Sequence, residues 1–270
     1  MRKVRWIAQN NLISEIDRDR MKQACDNLGV MYEGVHVLPF AYGLPKFTED
    51  DSINVYYGST TFISNLMQTD LDKTGIFLDE SKFLMSNYLS QWGEHMLSSE
   101  ARVLKFKEFI AEDHEPKSSW FIRPNADSKS FDGNVKDFGE IENWFNNVQQ
   151  MFDNVELDEN TDILVGPAYN IRKEWRNFVV DGKVVSSSLY RENFRLKKSA
   201  DDIPAEMIEF VEARAKEYSP NEVFVMDIAL CGGDHEYYII ECGCMNSVGF
   251  YHSDIQQIVK SVTDHVSLKD

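Results

Sequence analysis

Two carboxylates lie in or directly after apolar stretches of the chain, where a charged side chain is costly. Asp227 sits inside the apolar run 223–229, and Glu241 directly follows the run 237–240. A buried carboxylate must be paired or bound to a metal ion. Two such acids on neighbouring strands, with the amide of Asn246 nearby, suit Mg²⁺ that is shared with phosphates. The alternative is that Asp227 pairs with an arginine or lysine and that Glu241 is an acid at the exposed end of a strand.

A second candidate site is a predicted strand that leads into a polar loop. Arg123 follows the apolar residues 120–122, and the loop behind it offers Ser128, Lys129, Ser130 and several backbone amides. Cations, hydroxyls and backbone amides are the groups that hold a polyphosphate. The alternative is an ordinary solvated turn.

A third candidate site lies on a predicted hairpin. Glu174 and Arg176 precede an Asp-Gly turn at residues 181–182, and Arg191 follows the return strand. Residues two apart on a strand face the same side, so Glu174 and Arg176 are expected to lie together. A surface ion pair across the strands is the alternative interpretation.

The elements that would position these residues change in character along the chain. Residues 1–80 alternate strand and helix, which predicts a small α/β unit. Residues 81–110 are helix-prone and are expected to form a helical connection. Beyond about residue 118 strands come in pairs, and the Asp-Gly turn at 181–182 is the strongest hairpin signal. The pattern predicts a mixed α/β to α+β architecture with at least two lobes, and ligands usually bind in the cleft between lobes.

The composition excludes several classes of protein. The chain has 270 residues, 43% hydrophobic residues and a net charge of −17. Such a chain is expected to be globular, and its charge repels nucleic acids and anionic membranes. Gln9 and Asn10 interrupt any apolar signal segment, and four cysteines are too few for a disulfide framework. We therefore expect a soluble, cytoplasmic protein with reduced thiols.

Taken together and in this order, the motifs resemble those of the ATP-grasp fold. The similarity is to the small phage and bacterial R2K-like clade, in which an Arg replaces the usual Lys on the strand before the phosphate loop. The matching segments are residues 121–133, 174–185, 225–229 and 240–251. The resemblance implies two α+β lobes that clasp ATP over residues 81–270, preceded by a pre-ATP-grasp-like α/β unit over residues 1–80.

The family resemblance also implies an activity, namely that of an ATP- and Mg²⁺-dependent carboxylate–amine ligase. Such an enzyme converts a carboxylate into an acyl phosphate, which an amine or another nucleophile then attacks. The expected partners are small carboxylates and amines, or a peptide. The catalytic residues implied are Arg123, Arg176 and Glu174. Of these, Arg176 would stabilise the transferring phosphoryl group, and Glu174 would position Arg176. The metal ligands implied are Asp227, Glu241 and Asn246.

The resemblance implies a larger set of residues that contact the nucleotide. The backbone around residues 164–166 would contact the adenine, and Lys107 is the alternative to Lys105 for one further contact with the nucleotide. Many ATP-grasp enzymes carry Glu-x-Asn on the metal strand, whereas Gly243 is the second residue after Glu241 here. The nucleotide-binding residues implied are Lys105, Arg123, Ser128, Lys129, Ser130, Leu164, Val165, Gly166, Arg176 and Arg191.

Alternative functions remain open at this point. A catalytically silent relative could bind a nucleotide or a protein partner. A ligase that modifies nucleic acid is a second alternative, because the segment 191–198 is locally basic through Arg191, Arg195, Lys197 and Lys198. A zinc site is a further alternative, with ligands drawn from Cys231, His235, Cys242 and Cys244, although buried free thiols fit their spacing better.

Overall fold

The computed structural model describes residues 2–11, 14–38, 43–48, 50–127, 130–150, 157–232 and 236–269. The N-terminal part forms a parallel three-stranded sheet in the order β2-β1-β3. Ser14 caps the first helix by accepting a hydrogen bond from the Asp17 amide, and Gly29 ends that helix at φ +66°. The elements are β1 (Val4–Gln9), α1 (Glu15–Leu28), β2 (Met31–Val35), β3 (Ile53–Tyr57) and α2 (Thr60–Met67).

A four-stranded antiparallel sheet follows, in the order β4-β7-β5-β6. The expected helical connection over residues 81–110 is wrong in part, because residues 102–105 form a strand of this sheet. The bounds are α3 (Met85–Trp92), β4 (Arg102–Lys105), α4 (Phe106–Ile110), β5 (Ser119–Pro124), β6 (Asn134–Asp137), α5 (Phe138–Gln150) and β7 (Asp162–Gly166).

A five-stranded antiparallel sheet forms most of the remainder, in the order β10-β9-β8-β11-β12. The Asp-Gly hairpin is confirmed, with Asp181 at φ +50° and Gly182 at φ +72°. The bounds are β8 (Ile171–Val180), β9 (Lys183–Glu192), β10 (Arg195–Ser199), α6 (Ala205–Glu217), β11 (Val223–Cys231), β12 (Glu236–Gly243) and α7 (Ile255–Ser267).

The N-terminal unit packs against one face of the five-stranded sheet. Trp6 of β1 shares a buried cluster with Phe178 of β8 and Val225 of β11. The Trp6 indole also donates a hydrogen bond to the Thr263 hydroxyl on α7, 3.0 Å away. Because residues two apart on a strand share a face, Arg176 lies beside Phe178 on this face of the sheet. Within the described ranges, no helix is both long and apolar enough to cross a bilayer.

Candidate active site

The centre of the site is an ion pair between neighbouring strands of the five-stranded sheet. Asp227 on β11 lies opposite Arg176 on β8. The Arg176 guanidinium donates from Nε to Asp227 Oδ1 (3.0 Å) and from Nη2 to Oδ2 (2.7 Å). Their side chains are only 13% and 4% exposed. This bidentate geometry is the strong form of a carboxylate–guanidinium contact, and it gives the buried Asp227 carboxylate the partner that its position in an apolar strand requires.

The environment shifts the pKa of both members of this pair. Burial raises the pKa of the Asp227 carboxyl, and Arg176 offsets that effect only in part. Burial also opposes the charge of Arg176, but attraction to Asp227 outweighs it, so the pKa of Arg176 is raised. Arg176 therefore carries its positive charge at neutral pH despite its burial.

A second ion pair connects the four-stranded sheet to the five-stranded sheet. Arg123 on β5 donates from Nη1 to Glu241 Oε2 on β12. Burial acts against the Arg123 charge, but Glu241 more than compensates, so the pKa of Arg123 is raised. Glu241 is also the register partner of Asp227 across β12 and β11. Two carboxylates and two guanidinium groups from distant parts of the chain thus converge.

Three of these charged groups, Arg176, Asp227 and Glu241, line a small cavity of about 100 Å³. A larger, more open cavity of about 730 Å³ lies between α1, β9 and residues 252–256. We place the site at the smaller cavity, because the larger one is lined by neither buried ion pair. The lining of the smaller cavity comprises Asp127, Arg176, Val225, Asp227, Glu241, Cys242, Gly243, Ser247, Val248 and Gly249.

Glu174 differs from its expected role. Its buried carboxylate accepts hydrogen bonds from the Tyr190 hydroxyl (2.7 Å) and from Arg191 Nη1 (3.2 Å). Asp227, and not Glu174, holds the Arg176 guanidinium, whose Nη1 also donates to the Gly249 carbonyl. The expectation that Glu174 positions Arg176 directly is therefore corrected, because Glu174 orients Tyr190 and Arg191.

Two tyrosines that the sequence patterns did not single out complete the surroundings of Arg176. The rings of Tyr190 and Tyr251 are stacked, with centroids 4.9 Å apart and planes at 9°. The Arg176 guanidinium lies 4.8 Å from the centroid of Tyr251 and 5.7 Å from that of Tyr190. Tyr251 has φ +51°, a conformation that is uncommon for an aromatic residue. No local sequence pattern predicts the contact of these two rings with Arg176, because the three residues come from separate segments of the chain.

The phosphate loop is described only in part. Ser128 and Lys129 lie outside the described residues, so their predicted phosphate contacts stay predictions. Ser130 is described and is partly buried. Asp127, at the start of this loop, lines the small cavity.

The two competing lysines occupy different positions. Val103, Leu164 and Arg123 are register partners and so share one face of the four-stranded sheet. Lys105 lies two residues beyond Val103 and projects from that same face. Its Nζ pairs with Asp162 Oδ1 at 2.7 Å. Lys107, on α4, instead donates from its Nζ to the Asn160 side chain at 2.6 Å. Of the two lysines, Lys105 is therefore the better placed to contact a nucleotide.

The backbone expected to contact the adenine lies at the end of β7, and this role stays a prediction. Leu164 and Val165 lie in the interior of the sheet, between β4 and β5, where backbone groups are used in the sheet ladder. Gly166 pairs with β5 alone, at the end of the strand. The segment 167–170 then links β7 to β8 and so joins the two sheets.

Asn246 also differs from its expected role as a metal ligand. Its Nδ2 donates to the backbone carbonyls of Tyr56 (2.6 Å) and Gly75 (2.9 Å). Its Oδ1 accepts from the Phe77 amide (2.7 Å). The residue is fully buried, and it ties the segment after β12 to the N-terminal unit. This correction leaves Asp227 and Glu241 as the acidic candidates for a metal.

The donor set was tested for its fit to a metal ion. Across the parts of the chain that the structure describes, no group of three or more His, Cys, Asp or Glu side chains is arranged to hold a metal. Mg²⁺, however, is commonly bound by one or two carboxylates together with substrate phosphates, and Asp227 and Glu241 supply two. The zinc alternative gains no support, because Cys242 and Cys244 are buried free thiols and His235 lies outside the described residues.

Comparisons with known proteins were made for the whole chain. No curated protein matches it. Among solved structures, the RimK domain ATP-grasp protein of Sphaerobacter thermophilus is similar with a TM-score of 0.60 and 12% identity, over 97% of this chain and 99% of that one. The D-alanine–D-alanine ligase of Bacillus anthracis is similar with a TM-score of 0.55 and 13% identity, over 100% of both chains. A RiPP-associated ATP-grasp ligase of Chryseobacterium gregarium, in complex with ADP and a leader and core peptide, gives 0.55 and 14%, over 100% and 98%.

These similarities establish the fold as ATP-grasp, and the sequence itself identifies the family. The family described as "ATP-grasp domain, R2K clade family 2" matches residues 99–261, which is more than half of the chain and includes both ion pairs. The chain therefore belongs to family 2 of the R2K clade of ATP-grasp domains.

Proposed function

We propose that this protein is a ligase that binds ATP with Mg²⁺ between its four-stranded and five-stranded sheets and uses it to activate a carboxylate. The observation that carries this proposal is the convergence of Arg123, Arg176, Asp227 and Glu241 from two sheets. Solved structures of this fold include ATP-dependent ligases, which supports an activity of that general kind. ATP and reduced thiols both belong to the cytoplasm of a bacterial or phage-infected cell, where we expect the protein to act.

The reaction that we propose has two steps. A carboxylate oxygen of the substrate attacks the γ-phosphorus of ATP, and ADP leaves. An amine or other nucleophile then attacks the acyl carbon, and inorganic phosphate leaves with the electron pair of the carbon–oxygen bond. Phosphoryl transfer depends on positioning and charge neutralisation more than on covalent help from the protein.

The residues have separate parts in this scheme. Arg123 binds phosphate oxygens from the side of the four-stranded sheet, and Lys105 lies on the same face to reach another. Arg176 is held rigidly by Asp227 and the Gly249 carbonyl, and it stabilises the transferring phosphoryl group. Asp227 and Glu241 would hold Mg²⁺, which supplies charge neutralisation at the phosphates when bound. Lys129 and the hydroxyls of its loop would complete the phosphate contacts.

A thermal-melting experiment tests nucleotide binding first. A ligand that binds only the native state raises the melting temperature. ATP should raise it, and Mg²⁺ should increase the shift. Glu241→Gln should lose the Mg²⁺-dependent increase, whereas Glu236→Gln, at the exposed start of the same strand, should behave as the wild type.

A trapping experiment then tests the chemistry. Hydroxylamine attacks an acyl phosphate to give a hydroxamate and inorganic phosphate, so a panel of carboxylates can be screened without knowing the natural amine. Hydroxamate formation that requires ATP, Mg²⁺ and Arg176 would support the ligase. Nucleotide binding without hydroxamate for any carboxylate or acidic peptide in the panel would favour the catalytically silent alternative, and no melting shift at millimolar nucleotide would contradict the proposal altogether.

A further inference from the structure

The hairpin formed by β9 and β10 is positively charged on a chain that is strongly negative. Residues 191–198 contain four cations and one carboxylate, whereas the chain as a whole carries −17. Two of the cations have acidic partners, because Arg191 contacts Glu174 and Lys197 contacts Glu192. Arg195 and Lys198 have no carboxylate partner within the described part of the chain. A local surplus of positive charge is therefore presented at this edge.

The same hairpin exposes two large apolar side chains. Phe194 is 63% exposed and Leu196 is 68% exposed. Phe194 also has φ +63°, and Asn193 before it has φ +47°. Such a two-residue turn favours Asn-Gly, and a bulky residue at positive φ is strained. Neither the strained backbone nor the exposed Phe194 ring stabilises the fold, so we consider a binding partner for this hairpin.

β10 is an edge strand of the five-stranded sheet. It pairs with β9 on one side, and no described strand pairs with its other side. Lysines on an edge strand often serve to prevent unwanted strand pairing. That interpretation does not account for Phe194 and Leu196, because exposed apolar residues at an edge promote pairing. An edge with free backbone groups and apolar side chains suits the addition of an extended peptide.

The hairpin lies directly beside the candidate active site. Lys198 Nζ is 5.7 Å from the centroid of the Tyr251 ring. Arg176 is 4.8 Å from the centroid of the same ring. One aromatic side chain therefore contacts both the exposed lysine and the buried arginine. A carboxylate held at Lys198 would therefore lie beside the ring that Arg176 also contacts.

We propose that the edge of β10 binds an acidic peptide segment as an added strand. Arg195 and Lys198 would bind its carboxylates, and Phe194 and Leu196 would pack against its apolar groups. The charge of the hairpin selects acidic side chains, and its free backbone edge selects a peptide over a nucleic acid. The further step, in which one carboxylate of this peptide reaches Arg176 as the substrate, rests on the function proposed above.

A labelled octaglutamate peptide is the probe that tests this surface. Its binding to the full chain is measured by fluorescence anisotropy at low salt, where exposed ion pairs are least screened. Arg195→Gln combined with Lys198→Gln removes two exposed ion pairs and should weaken binding by roughly tenfold. Lys197→Gln is the matched control, because Lys197 is a neighbour on the same strand that already pairs with Glu192, and it should change binding by less than about twofold.

A second variant separates binding from folding. Phe194→Gly relieves the strain at positive φ, so the chain should stay at least as stable. Its binding should weaken to a second labelled peptide in which valine alternates with glutamate, because that peptide carries the apolar groups that Phe194 would contact. Three results would overturn the proposal: no binding up to about 1 mM peptide, equal weakening by Lys197→Gln, or tighter binding of a thymidine octanucleotide. The melting shift with ATP is measured on the same variants. If ATP still raises the melting temperature but no peptide binds, the peptide surface is refuted and the nucleotide site stands. If the peptide binds but ATP gives no shift, the proposed function is refuted and the peptide surface stands.

Discussion

The role of Asn246 gives the sharpest test of how the structure changes the interpretation of the sequence. The sequence makes this amide a metal ligand, whereas the structure makes it a cross-link between the segment after β12 and the N-terminal unit. The two roles predict different outcomes for the same substitution. Asn246→Ala should lower the free energy of unfolding and leave the Mg²⁺-dependent ATP shift of the folded protein unchanged.

The expected magnitude follows from four hydrogen bonds around a fully buried side chain. The Asn246 Nδ2 donates at 2.6 and 2.9 Å, and its Oδ1 accepts from the Phe77 amide at 2.7 Å and from the Cys244 thiol at 3.3 Å. Asn246→Ala leaves the Tyr56 carbonyl and the Phe77 amide without this partner, whereas the Gly75 carbonyl still accepts from the Tyr56 amide at 3.5 Å. A buried polar group left unsatisfied costs about 1–3 kcal/mol, so two such groups predict a loss of roughly 2–6 kcal/mol. That is a large part of the ~5–15 kcal/mol by which most domains are stable.

Urea unfolding measures this loss, with Asn27→Ala on the exposed side of α1 as the control. Asn246→Asp sharpens the test, because a carboxylate is a good Mg²⁺ ligand but would face the carbonyls of Tyr56 and Gly75 with an acceptor in place of a donor. We expect it to be at least as destabilised as Asn246→Ala. The reasoning is refuted if Asn246→Ala unfolds within about 1 kcal/mol of the wild type and has lost its Mg²⁺ effect, or if Asn246→Asp is stable.

Three further predictions concern other parts of the chain. Arg176→Lys loses the bidentate contact with its carboxylate partner and should lower hydroxamate formation by about a hundredfold or more; an unchanged rate would remove Arg176 from the mechanism. Hydrogen bonding by Arg102 lowers the pKa of Glu112 from 4.5 to about 2; this contribution to stability is therefore present above pH 4.5 and disappears as the pH falls towards 2, so the difference between wild type and Glu112→Gln in urea should shrink over that interval and not grow. Burial raises the pKa of the Cys25 thiol to about 12 and that of Cys242 well above its usual range, so neither should react with Ellman's reagent before unfolding; rapid labelling of either in the native protein would contradict their burial.

The elements with strong local signals were predictable from the sequence. The Asp-Gly turn identified the β8–β9 hairpin, because both turn residues adopt positive φ. Strand β4 was missed within the helix-prone stretch 81–110, since its four residues are too few to show a period and its pairing with β7 is a long-range contact. Whether so short a segment forms a strand depends more on the strands beside it than on its own β propensity.

The site was predictable in its residue types and less so in its pairings. The costly placement of Asp227 in an apolar strand pointed to a partner, and the structure supplies Arg176. The partner of each carboxylate depends on strand register and on how the two sheets pack together. A local sequence pattern encodes neither of these. The same reason explains why the Tyr190–Tyr251 stack was not anticipated.

The Arg123–Glu241 pair has a consequence for how ligands enter the cleft. Phosphates alone would draw Arg123 away from Glu241, and a divalent cation alone would draw Glu241 away from Arg123, so either ligand by itself breaks this ion pair. A ligand that carries both charges exchanges both partners at once. We therefore expect ATP and Mg²⁺ to bind with positive cooperativity, each raising the affinity of the other by the same factor. The cleft then selects for the metal complex of the nucleotide over either component by itself.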